Sequence, residues 1–285
     1  MSRSLPRLFA LALPWCVAAG CDRPRDTASP RAGAEPRALP PLGEGRVSVL
    51  DSREALALRG PRVEGEARDF VLEHRGMVAV VSRADGRLLD FGAEGSEDEL
   101  VAIDPGLFAG TRQLASPVVL SRIDSEGRVL TVVHRATELP VRLVTFYTFR
   151  GRALVIDSYA EPEEPAGEHM AVGLGEWIGF GNHPLWIESE GYAPSSGGNF
   201  FSAFVASTGG GQRYALGRLE GRIHVDLKPV GLAGFYSNAR GSEFALAGGE
   251  AREHRRLVLY ASADSIGDAY DKAFRTDPTS AFGGI

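Results

Sequence analysis

Cysteine is close to absent from this chain, with Cys16 and Cys21 the two in 285 residues. That scarcity excludes a disulfide framework and a zinc site built on cysteine clusters. Lysine is nearly missing too: Lys228 and Lys272 stand among 31 basic residues, a bias read here as GC-rich coding and not as chemistry. The histidines are His74, His134, His169, His183, His224 and His254, no two closer than 14 residues. That spacing excludes His-x-His and His-Glu-x-x-His, which set two imidazoles on one metal locally. A Walker-type glycine loop is lacking, and Ser195-Ser196-Gly197-Gly198 is not the Gly-x-Ser-x-Gly of a nucleophile elbow. The sequence carries no cofactor or metal motif and implies neither. The net charge of -6 argues against nucleic acid and anionic surfaces as electrostatic partners.

What is present begins at the N-terminus. Arg3 and Arg7 precede an apolar stretch from Leu8 to Val17, which is too short to span a bilayer and is broken by Pro14. Ala18-Ala19-Gly20 then leads into Cys21. This arrangement resembles the lipobox of bacterial lipoproteins. The resemblance implies that residues 1–20 are a signal peptide and that Cys21 is acylated as the new N-terminus. The protein is then expected as a membrane-anchored lipoprotein of the bacterial cell envelope, facing the periplasm or the cell surface. Its acyl chains contribute about 0.8 kcal/mol per buried methylene. Cleavage removes two arginines and no acid, so net charge moves to -8 and Cys21 becomes the sole thiol. Residues 21–43 carry Pro24, Pro30, Pro36, Pro40 and Pro41 and read as a disordered tether, reaching roughly 60 Å at about 3 Å per residue.

From residue 44 to 275 the pattern is of short β-type runs punctuated by glycine. Phe70–His74, Arg75-Gly76, Met77–Ser82, Asp85-Gly86 and Arg87–Phe91 read as strand, turn, strand, turn, strand. The same grammar recurs at Gly127, Gly151, Gly221 and Gly248-Gly249. Val141 to Phe149 is apolar on both faces, the mark of a strand inside stacked sheets. Two helical stretches are expected: a short one in 98–108, broken at Pro105, and a capped one in 264–275 before a 276–285 tail. The fold class is therefore all-β, a large antiparallel sandwich with a short C-terminal helix.

Several segments in order carry a family resemblance. Asp69–Glu73, Met77–Val81, Gly86–Asp90 and Asp98-Glu99-Leu100 open it. Leu139–Thr145 with Tyr147, Leu174–Ile178 with Phe180-Gly181, and Arg256–Ala273 follow. Together they resemble the N-terminal β-domain of CehA/McbA-like metallohydrolases of the PHP group. The resemblance implies a galactose mutarotase-like super-sandwich. It does not bring the hydrolase with it, because in that family the His-x-His ligands belong to a separate C-terminal module.

The segment from Gly173 to Gly211 concentrates aromatic, acidic and amide residues among glycines. Glu176, Trp177, His183, Trp186 and Tyr192 are the candidate ligand-binding residues, because sugar sites pair an aromatic platform with carboxylates and amides. The bland alternative makes both tryptophans core residues beneath long loops. Glu176 or Glu188 with His183 or His224 would be the acid and base of a mutarotase-like enzyme. His224 and Asp226 share a strand face and read as a hydrogen-bonded pair. The acidic runs Glu94, Glu97, Asp98, Glu99 and Glu161, Glu163, Glu164 read as solvated loops. No catalytic residue is assigned. The expected function is a lipid-anchored, non-catalytic sandwich that binds a glycan or an envelope protein. A stand-alone carbohydrate-active enzyme, or a detached accessory domain of a PHP-type hydrolase, is the alternative.

Overall fold

A computed structural model describes residues 36, 38–109, 112–163, 170–179, 185–187, 191–192, 198–202, 204–207, 212–218, 223–229, 235–240, 244–246 and 253–262. In chain order the strands are β1 (Arg46–Val49), β2 (Phe70–His74), β3 (Met77–Val81), β4 (Leu88–Ala93), β5 (Ala102–Ala109), β6 (Arg112–Gln113) and β7 (Val118–Ile123). Next come β8 (Leu130–Arg135), β9 (Val141–Arg150), β10 (Ala153–Pro162), β11 (Met170–Gly179), β12 (Leu185–Ile187), β13 (Gly191–Tyr192) and β14 (Gly198–Ser202). The series ends with β15 (Phe204–Ser207), β16 (Arg213–Arg218), β17 (Ile223–Pro229), β18 (Phe235–Arg240), β19 (Phe244–Leu246) and β20 (Glu253–Ser262). A 3-10 turn at Arg53–Ala55 is the one helical element among the described residues.

The strands form two antiparallel sheets. The larger has 11 strands in the order β1-β2-β3-β4-β5-β11-β18-β17-β14, with β19 and β6 beside β11 and β5. The smaller has 9, in the order β13-β12-β15-β16-β20-β10-β9-β8-β7. The all-β class read from the sequence is the class observed. Between the sheets lies one large apolar cluster, to which Leu72, Phe91, Ile103 and Ile178 come from the larger sheet and Tyr147, Phe149, Leu154 and Tyr214 from the smaller. A second cluster gathers Leu107, Val141, Leu143, Ala160 and Leu174. Strand alternation sets a polar layer between the two: Glu176 lies between Leu174 and Ile178 on β11, and Thr145 between Leu143 and Tyr147 on β9.

Local chemistry explains the hairpins. Arg75 and Gly76 have φ of +48° and +72°, so a two-residue turn with both centres left-handed joins His74 to Met77. Between β3 and β4 the expected tight Asp-Gly turn is wider. It runs from Ser82 to Arg87, and of Asp85 and Gly86 only Gly86 has positive φ. Gly86 donates its N–H to Ser82 O, and its carbonyl accepts the Tyr147 hydroxyl at 2.7 Å.

Three expectations need correcting. Residues 102–109, expected as part of a broken helix, form strand β5. A seven-pair ladder to β11, from Ala102↔Gly179 to Phe108↔Gly173, overrides weak local helix preference. Pro105 is tolerated because β4 pairs with β5 only at Ile103, leaving that flank open. Asp98 is not solvated: it is buried, its Oδ1 accepting the Tyr214 hydroxyl at 2.6 Å and the Leu100 N–H at 3.2 Å. Glu161, the third exception, is a buried residue of β10 paired with Arg142. The helix expected at 264–275 lies outside the described residues.

The both-faced burial of β9 is confirmed, with a cause the sequence did not show. Its inner face joins the core, while Val144 and Phe146 on the outer face pack in a cluster with Ala38 from the N-terminal segment. On the larger sheet, Leu50, Leu58 and Val63 cover Val71 and Val78 in the same way.

Asp98 makes stability pH-dependent. Burial pushes its carboxyl up to about 8, aided by the neighbouring Asp90 charge and opposed by the Tyr214 hydrogen bond. A carboxyl raised in the native state stabilises the fold when protonated, and that stability is lost as pH rises toward the native value. Histidine-linked effects fade above pH ~6.5, so the window from there to pH ~9 reports the buried Asp98 together with Asp90 beside it, whose carboxyl burial also raises. Urea unfolding should lose about 2 kcal/mol across that window, at ~1.4 kcal/mol per unit below the native value. Asp98→Asn should flatten the profile; an unchanged slope would remove Asp98 as its source.

Candidate functional site

Strand alternation decides which candidate residues can meet. Glu176 and Trp177 are adjacent on β11 and so point to opposite sides of the larger sheet. Glu176 is 0 % exposed and faces the core with Leu174 and Ile178. Trp177 is half-buried on the outer side. The two therefore do not share a pocket. Trp186 stands directly opposite Tyr192 across β12 and β13, and these two candidates are brought together. Its neighbour Ile187 pairs with the core residue Val205, which places Trp186 on the outer side of the smaller sheet. The two tryptophans thus occupy opposite outer faces of the sandwich. His183 and Glu188 lie outside the described residues.

Register across the larger sheet assembles a group of positions around Trp177. Trp177 is opposite Asp104 on β5 and Asn238 on β18; Asn238 is opposite Asp226 on β17, and Asp226 opposite Asn199 on β14. The row is therefore Asp104, Trp177, Asn238, Asp226, Asn199, five strands wide. The adjacent row on the same side is Gly106, Gly175, Arg240, His224, Phe201. His224 and Asp226, paired in the sequence reading, thus fall in neighbouring rows of this group. Along β11, Gly175 and Gly179 flank Trp177 on its own side, leaving the indole without tall neighbours on its strand.

At the β5 flank the chemistry is defined. Asp104 accepts a hydrogen bond from Gln113 Nε2 at 3.3 Å, and Gln113 occupies the space a side chain at Gly106 would need. Burial raises the Asp104 carboxyl above its ordinary value, while the Gln113 bond and the nearby Arg87 and His134 oppose the rise. His134 is buried with its Nε2 2.9 Å from the Asp85 carbonyl, so the proton sits on Nε2 and the ring is neutral, burial lowering its pKa. Among the described residues no group of three or more His, Cys, Asp or Glu is placed to hold a metal.

Sequence reading missed Asp104, Gln113, Asn238 and Arg240. Asp104, Asn238 and Arg240 join the group through ladders with β11 more than sixty residues away, while Gln113 joins it through the short β5–β6 hairpin, and no motif spacing marks any of them. The alternation of Gly173, Gly175, Trp177 and Gly179 was the available signal, three glycines and one indole on one side of a strand, although the glycines are buried and Val101 packs over Gly179.

No protein family and no curated protein matches the chain in sequence. Among solved structures, the GH36 α-galactosidase AgaB of Geobacillus stearothermophilus aligns at TM-score 0.52 and 10 % identity, over 72 % of this chain and 41 % of that one. AgaA of the same organism, in complex with stachyose, aligns at 0.51 and 10 % identity, over 74 % and 44 %. A galactose mutarotase-like protein of Lactobacillus casei aligns at 0.47 and 9 % identity, over 68 % of this chain and 100 % of its own. The chain spans less than half the length of the two α-galactosidases. At these identities the shared property is the fold, a two-sheet antiparallel super-sandwich.

Proposed function

We propose that this protein is an acylated envelope lipoprotein whose sandwich binds a glycan on the outer face of the larger sheet, around Trp177. The observation that carries this reading is the five-strand row of Asp104, Trp177, Asn238, Asp226 and Asn199. It aligns an aromatic platform with carboxylate and amide positions at strand spacing, the mixture that sugar rings require. The covers on the outer faces lie away from this row: Ala38 packs over β9 of the smaller sheet, and the 50–63 segment packs over β2 and β3 of the larger. The superposed α-galactosidase AgaA holds stachyose in its crystals, which makes galactose-containing oligosaccharides the first ligands to try. The order of the sequence motifs adds that this is a β-domain of the kind that accompanies PHP hydrolases, working here as an anchored binding module.

The test is a glycan array probed with the mature chain carrying Cys21→Ser, beside Trp177→Ala and Trp186→Ala in that background. Specific binding lost in Trp177→Ala and kept in Trp186→Ala is the expected result. Binding lost only in Trp186→Ala would move the site to the other sheet, and catalysed anomer exchange in a bound sugar would replace binding with turnover. The anchor has its own test: the wild type should partition with membranes and Cys21→Ser should be released to the soluble fraction. A Cys21→Ser protein that stays membrane-bound would remove lipidation from the reading.

A further inference from the structure

We infer that residues 38–44 form a strap latched along the outer face of β9 and so do not belong to the tether expected over 21–43. One end of the latch is a buried ion pair. Glu161 Oε1 accepts the Ala38 N–H at 2.6 Å, and Glu161 Oε2 accepts from Arg142 Nη2 at 2.9 Å. The Arg142 and Glu161 side chains are 4 % and 1 % exposed, and Ala38 itself is buried. At the other end, Glu44 donates its N–H to Phe149 O at 2.9 Å and accepts the Gly151 N–H at 2.9 Å. Arg142 and Phe149 lie near opposite ends of β9, so the strap runs its length, about 20 Å at roughly 3.3 Å per residue.

Gly43 shows how close that approach is. A Cβ there would lie 2.2 Å from Thr148 Oγ1 and 2.7 Å from the Arg128 carbonyl. The middle of the strap is different: Leu39 and Leu42 are 83 % and 89 % exposed, and Pro40 and Pro41 have no N–H to donate. A segment fastened at its ends and open in its middle can leave the sheet without disturbing the core between the sheets. Undocking adds seven residues to the tether, about 23 Å of reach at ~3.3 Å each. It also uncovers Val144, Phe146 and the Arg142–Glu161 pair. The latch stands on contacts within the sandwich; the reach it controls rests on the Cys21 anchor.

The experiment is limited trypsin digestion of the mature chain, with hydrogen exchange of residues 38–44, in wild type, Gly43→Ala and Ala38→Pro. Gly43→Ala pushes the strap off without altering a strand, and Ala38→Pro removes the N–H that Glu161 accepts. Cleavage after Arg37 should be at least 10-fold faster in Gly43→Ala, and exchange at residues 39 and 42–44 at least 10-fold faster in both variants, with exchange in β8–β10 unchanged. Ala38→Pro is read by exchange alone, because trypsin does not cut an Arg–Pro bond. The inference is overturned if wild type is cut after Arg37 as fast as after Arg31, or if both variants protect the strap as wild type does. Should Gly43→Ala expose β8–β10 as well, Ala38→Pro decides. Membrane partition plays no part in these readouts, so failure of the latch and failure of the anchor are separable.

Discussion

Arg142→Ala lowers the free energy of unfolding by about 3–5 kcal/mol, because it strands a buried carboxylate whose partner has been removed. Glu161 sits on the outer side of β10 directly across from Arg142 on β9, and both side chains are almost wholly buried. The attraction between two such charges is offset by what each lost on leaving water, so the intact pair adds little net stability. Removing one partner keeps the desolvation cost of the other. The double variant Arg142→Met, Glu161→Gln should recover most of the loss, because it removes both charges and keeps an acceptor for the Ala38 N–H. Urea unfolding of the two variants and the wild type checks this. Equal losses in the single and double variants would show that the side chains matter through shape and not through charge.

Gly86→Ala should cost about 2–4 kcal/mol, combining a left-handed backbone with overpacking. Gly86 has φ of +72°, and a Cβ there would lie 2.7 Å from Val132 Cγ1 and 2.8 Å from His134 Cε1. Both neighbours belong to β8 of the facing sheet, so the clash opposes closure of one end of the sandwich. The Tyr147 hydroxyl, bonded to the Gly86 carbonyl, would be displaced with it. The contrast is Gly76→Ala: φ is +72° but no atom lies within 4 Å of its added Cβ, leaving only backbone strain of about 1–2 kcal/mol. Equal costs at the two sites would mean that the sheet-to-sheet contact at Gly86 carries no energy.

The fold was legible in the sequence wherever its determinants were local. Arg75-Gly76, Gly127 and Gly151 mark turns where the chain does take up positive φ, and β2, β3, β4, β8 and β9 fall within a residue or two of their apolar runs. Residues 102–109 were illegible because their conformation is fixed by β11, some seventy residues away. The burial of Asp98 has the same origin, since its hydroxyl partner Tyr214 lies 116 residues on. The candidate site was half legible. Trp177 was found from its composition. Its grouping with Glu176 ignored the alternation that sends neighbours to opposite faces, and its grouping with Trp186 required knowing that β11 and β12 belong to different sheets. Asp104 and Asn238, which stand beside Trp177 across the ladder, are invisible without the register.

Intrinsic fluorescence tests the account most directly. Of the three tryptophans, one lies in the segment read as signal peptide, so the mature chain keeps Trp177 and Trp186. Trp186→Phe leaves Trp177 as sole reporter, and Trp177→Phe leaves Trp186. Titrated with the best array glycan, the Trp177 reporter should show a saturable change in emission, and the Trp186 reporter none. A saturable change at Trp186 with Trp177 silent would place the ligand on the other face of the sandwich and contradict the account.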